Sequence, residues 1–164
     1  MDFLMTRFLL IVIFAAMFFS GCAGNPTSDT ALRSANQTLE NQFSPFRYVV
    51  TPSDGGRPVA NVEWAGVPGK SISELAPQVR RDIFGAIMKN CGLQSSALAE
   101  TRIVKHDAPV FYEVWVFNDP LSKRTDNKSG LSVVMTQLPN GGGVNIRYYG
   151  DCHSKDAPVF HFPN

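Results

Sequence analysis

The pattern of apolar and polar positions divides the chain into four unlike stretches. From Phe8 to Phe19 every residue is apolar. From Ala23 to Ser44 the chain is rich in Asn, Ser, Thr and Gln. Within that stretch Leu32, Ala35, Leu39 and Phe43 recur at helical spacing behind a candidate cap at Ser28, which predicts either a flexible stalk or a short helix over 29–43 that docks on the domain, the helix being loosely held. Alternation then predicts a strand at Phe46–Thr51, stopped by Pro52-Ser53-Asp54-Gly55-Gly56, and a second within Pro58–Trp64. Beyond a turn containing Gly66, Pro68 and Gly69, an apolar stripe of Leu75, Val79, Ile83, Ile87 and Cys91 predicts the main helix. Ser71 with Glu74 has capping-box spacing, Pro77 suits a first turn, and Gly92 ends the helix.

The remainder reads as strands. Thr101–His106 is a short one. Val110–Phe117 is apolar on both faces, with Phe111, Trp115 and Phe117 on one and Val110, Tyr112, Val114 and Val116 on the other. Such a strand is central or covered on both sides. Asp119–Gly130 is a polar loop, and Leu131–Leu138 and Val144–Tyr149 form a hairpin across Pro139-Asn140-Gly141-Gly142-Gly143. Asp107-Ala108-Pro109-Val110-Phe111 recurs as Asp156-Ala157-Pro158-Val159-Phe160. The repeat marks one local device used twice, with a final strand at Pro158–Phe162. The order β-β-α followed by a β-meander predicts an α+β fold, an antiparallel sheet with one main helix on a face, in a single domain over 45–164.

The apolar run gives the chain an address. Arg7 and the α-amino group oppose Asp2 ahead of the run, and Ser20 and Gly21 follow it, the three parts of a secretory signal. The run falls short of the roughly 20 residues that span a bilayer. Ser20-Gly21-Cys22 resembles the lipobox of bacterial lipoproteins, with Phe19 where that pattern usually has Leu. The resemblance covers residues 1–22 and implies that 1–21 are removed and that Cys22 carries fatty acyl (palmitate-type) chains. Two or more such chains hold a protein stably on a membrane. Residues 22–44 then form the lipidated tether. Ala23, in place of the Asp that retains enterobacterial lipoproteins in the inner membrane, implies the periplasmic face of the outer membrane.

With Cys22 given to lipid by that resemblance, Cys91 and Cys152 are left in an oxidising compartment. A disulfide between them is the expectation, two free thiols or a redox pair the alternatives. Closing 61 positions (152 − 91) is worth roughly 4 kcal/mol in the chain-entropy model. Hydrophobic residues at 44% against charged residues at 18% mark a globular chain. A formal net charge of +1 with scattered Lys and Arg lacks the basic face of a nucleic-acid binder.

The search for chemistry gives little. Gly66-Val67-Pro68-Gly69-Lys70-Ser71 imitates a P-loop, but the motif needs Gly where Trp64 stands. His106 and His161 could approach with Asp107 or Asp151 to hold a metal, but no ligand pair at short spacing supports a site. No Gly-x-Ser-x-Gly elbow is present, and Asp151, His153 and Ser154 are too close in sequence to converge. Glu113, among aromatic neighbours, is the one carboxylate placed to be desolvated, or else paired with Arg102 or Arg147. No catalytic, cofactor or metal residue is therefore assigned. The expected function is a membrane-anchored, non-catalytic accessory that binds an envelope protein for assembly, secretion or sensing. Contact would be made by strand addition or by an aromatic patch around Trp64 or Tyr149. The alternatives are a cell-wall-active enzyme or small-ligand binder, and an inhibitor of a foreign hydrolase presenting Asp119–Gly130.

Overall fold

The computed structural model describes residues 27–51, 59–155, 160 and 162. It is an α+β fold whose elements follow as α1 (Thr27–Asn41), β1 (Phe46–Thr51), β2 (Val59–Trp64), β3 (Val67–Pro68), α2 (Pro77–Cys91), β4 (Leu98–Asp107), β5 (Val110–Asn118), β6 (Lys128–Gln137) and β7 (Val144–Tyr149). Strands β3 to β7 form one antiparallel sheet in chain order, and β1 pairs with β2 as a separate ribbon. No helix among the described residues is long and apolar enough to cross a membrane.

The two-sided apolar pattern of β5 is resolved by a cover on each face of the sheet. On one side Ile83 and Ile87 of α2 press onto Trp115, Phe117, Leu131, Val133 and Met135. On the other, Trp64 and Ala65 at the end of the ribbon pack on Tyr112, Val114, Val116 and Val134, with Phe43 and Phe46 beside them. Each fully buried side chain of this size contributes about 1.5–3 kcal/mol. The ribbon is therefore a second layer and not, as the sequence order suggested, part of the main sheet.

Helix α2 begins with Pro77 in its first turn and ends at Gly92, whose left-handed backbone (φ 71°) lets its N–H reach the Met88 carbonyl. A 3-10 turn at Ile72–Leu75 precedes it. There Ser71 Oγ accepts the Ser73 N–H, while Glu74 lies 3.8 Å from Arg80. Ser71 thus caps the 3-10 turn, and Leu75, expected on the buried stripe, is 82% exposed because it precedes the regular helix. Cys91 and Cys152 are joined, with Cα atoms 5.0 Å apart, tying the end of α2 to the segment after β7.

Of the two settings expected for 29–43, the docked helix is the one found, and it is held firmly. Helix α1 runs from Thr27 and is docked: Asn36 Nδ2 donates to the Tyr48 carbonyl (2.9 Å), and Asn36 Oδ1 accepts the Tyr48 N–H (2.7 Å). One side-chain amide thereby satisfies both backbone groups that β1 offers at this point on its outer edge. The turn after α1 is held as well, since Tyr112 Oη donates to the Ser44 carbonyl and the Ala65 N–H to that of Pro45. Of the repeated pentamer, the first copy forms the β4–β5 turn, with Ala108–Pro109 cis. The second copy and the strand predicted at Pro158–Phe162 lie outside the described residues, apart from Phe160 and Phe162. The Phe160 ring is 5.1 Å from that of Tyr48.

Candidate functional site

Two buried carboxylates, each paired with a histidine, carry the polar chemistry of the described residues. Glu113 projects from β5 on the α2 side and is fully buried. Its Oε1 accepts the Ile72 N–H (2.7 Å) and His106 Nε2–H (2.8 Å), and its Oε2 accepts Trp115 Nε1–H (2.8 Å). Three donors from three parts of the chain therefore converge on one carboxylate. His106 reaches it because β4 shifts register against β5 between Ile103 and Lys105. The arginines expected as partners are elsewhere: Arg102 holds Glu100 and the carbonyls of Ala65 and Gly66, and Arg147 lies exposed on β7. This arrangement engages both carboxylate oxygens within the fold. It is a structural joint between β4, β5 and the 3-10 turn.

The second pair was not legible from spacing. Asp119, 2% exposed, follows β5 directly. Its Oδ2 accepts Ser129 Oγ–H (2.6 Å) and His153 Nδ1–H (2.9 Å), and its Oδ1 accepts the Leu121 N–H (2.9 Å). Burial pushes the Asp119 carboxyl up, but the bonds from Ser129, His153 and Leu121 together outweigh it and hold the carboxyl below its ordinary value. His153 and Asp119 line a groove of about 450 Å³ with Gln94, Ser96 and Leu121, beside the disulfide. A buried Asp on Nδ1 is the orientation used by hydrolytic triads. The nucleophile is missing from it. Ser129 Oγ accepts the Ser154 N–H while donating to Asp119, Ser154 Oγ accepts the Gly130 N–H, and Cys91 is in the disulfide. Among the described residues no hydroxyl or thiol is hydrogen-bonded to His153 Nε2.

The network has a measurable consequence. A carboxyl held below its ordinary value stabilises the fold above the unfolded pKa, about 3.9, and that contribution is lost as pH falls through the folded value. The stability difference between the wild type and Asp119→Asn is therefore expected to be full at pH 6 and to shrink steadily below about pH 4. Urea midpoints across that range check it, and a difference constant with pH would count against the ionised network.

The remaining predicted contacts sort themselves by exposure. Trp64 is 8% exposed, its ring stacked on Phe46 at 4.8 Å and covered by the Arg124 guanidinium at 4.4 Å. The Tyr149 ring is 4.8 Å from that of Phe43. The aromatic patch is thus internal. The loop after β5 does not protrude, because Arg124 is drawn onto Trp64, Lys123 N–H donates to the Ser154 carbonyl, and the Asp119 N–H to that of Asn127. Asp151 lies 3.7 Å from Lys155, His161 and Cys22 fall outside the described residues, and no group of three metal-ligating side chains occurs among those described.

What stays open is a strand edge. β7 pairs with β6 in continuous register. The Leu138 N–H to Gly143 carbonyl bond sets the alternation, so Val144, Ile146 and Tyr148 turn their N–H and C=O groups away from β6. Among the described residues nothing pairs with them. β3, at the opposite margin, is two residues long and contains Pro68. Short length and proline both protect an edge, and β7 has neither. No family model, curated protein or solved structure matches the chain.

Proposed function

We propose that the chain is an exported lipoprotein, held on the periplasmic face of the outer membrane through acylated Cys22, whose folded domain binds an envelope protein without catalysis. The observation that carries this reading is the distribution of the three cysteines. Cys91 and Cys152 are joined, which suits an oxidising compartment. Cys22 is the remaining cysteine, directly after an apolar run and two small residues. The open margin of β7 supports protein binding, because an extended partner segment would satisfy the outward groups of Val144, Ile146 and Tyr148 by adding a strand. Both carboxylates of the histidine–carboxylate pairs are engaged in joining elements of the fold, which supports a binding role over a catalytic one.

The test is made in cells. Wild-type protein is expected to fractionate with the membrane and to show a mass lacking residues 1–21 and increased by acyl chains. Cys22→Ser is expected to abolish both the cleavage and the mass gain. A photocrosslinker at exposed Asn145 or Arg147, on β7, is expected to capture a protein in wild-type cells. A bare Cys22 in the native protein removes the anchor, and capture of lipid alone from both positions removes the binding function.

A further inference from the structure

We infer that the domain is tied down close to the lipid surface, with the N-terminal end of α1 towards the bilayer. The inference rests on acylation of Cys22, and adds to it a height that the anchor alone does not set. Polar composition over residues 22–44 admits a stalk, and a coil running from Cys22 to Tyr48 would wander roughly 28 Å and extend to about 90 Å. The docked helix removes that freedom. Asn36 is bound through its amide to both backbone groups of Tyr48, at 2.9 and 2.7 Å. Immediately after α1, Phe43 lies against the rings of Tyr112 (5.4 Å) and Tyr149 (4.8 Å), and Ser44 accepts the Tyr112 hydroxyl. The chain is thus fixed to the domain at both its ribbon and its main sheet, and the fixed part begins at Thr27.

Five positions (27 − 22) separate the acylated sulfur from that helix. However they are arranged, they span at most about 18 Å. A compact domain of this size has a radius of gyration near 14 Å, so its far side stays within roughly 55 Å of the lipid. A partner must come to the membrane to meet it. That geometry gives the docked helix a function as a spacer of fixed length.

The experiment uses the full acylated protein in vesicles. The disulfide and the lipid occupy all three native cysteines, so Glu63→Cys, at an exposed position on β2, gives a single labelling site for a donor fluorophore, with acceptors on lipid headgroups. A second form carries a flexible 20-residue Gly/Ser insert between Pro26 and Thr27, ahead of the docked helix and outside the fold. Energy transfer is expected to fall at least twofold in the inserted form. Equal transfer in the two forms, with both floating on the vesicles, overturns the short span while leaving the anchor intact. Failure of the uninserted protein to float overturns the anchor and the inference with it.

Discussion

Glu113→Ala is expected to lower the stability of the domain by about 3–5 kcal/mol, a large part of the 5–15 kcal/mol that holds a typical domain together. The carboxylate is fully buried, and its removal leaves three donors behind: the Ile72 N–H, Trp115 Nε1–H and His106 Nε2–H. Trp115 is fully buried, so water does not replace the acceptor its indole N–H loses, and each buried orphan costs about 1–3 kcal/mol. Glu113→Gln is expected to cost less. Its carbonyl oxygen still accepts, but its amide turns a donor towards one of the three. The order wild type, Gln, Ala in urea midpoints distinguishes a joint built on acceptors from simple loss of volume. An alanine variant within about 1 kcal/mol of wild type would show that the site relaxes freely.

Gly130→Ala is expected to cost about 2–4 kcal/mol although it adds a single methyl group. A Cβ at this position on β6 would stand 2.7 Å from Trp64 Cε3 and closer still to Cζ3. The ring has no easy retreat, since Phe46 stacks on it and the Arg124 guanidinium, itself drawn to Asp126, covers it. Moving Trp64 therefore disturbs the ribbon and the loop after β5 together. Thermal unfolding is expected to show a drop of roughly 10 °C, with tryptophan emission shifted to the red as Trp64 meets water. Trimming the ring by Trp64→Phe should make the alanine less costly, so the two substitutions should be strongly non-additive. Additive losses would mean that the methyl clashes with something else.

These two sites show where sequence reading reaches and where it stops. The pattern of β5 was enough to require a cover on both faces, because a strand apolar on both sides has no other stable setting. The main helix, its proline start and its glycine end were legible for local reasons, as was the β6–β7 hairpin. The partners of Glu113 and Asp119 were not. Sequence distance concealed His153, 34 positions from Asp119, and the register shift of β4 selected His106 over the nearby Arg102. Docking of α1 depended on one amide matching the spacing of one strand's backbone groups, a fit that periodicity does not encode. Arg124 looked like part of a solvated loop because its target, Trp64, lies on a different layer.

The bond between Cys91 and Cys152 has a consequence for survival among proteases. It bridges a sequence separation of 61 and encloses β4, β5, β6 and β7 entire. A protease that clips the exposed glycine turn between β6 and β7 severs the backbone yet releases nothing. The halves remain one molecule, clasped by sulfur as well as by the ladder between their strands.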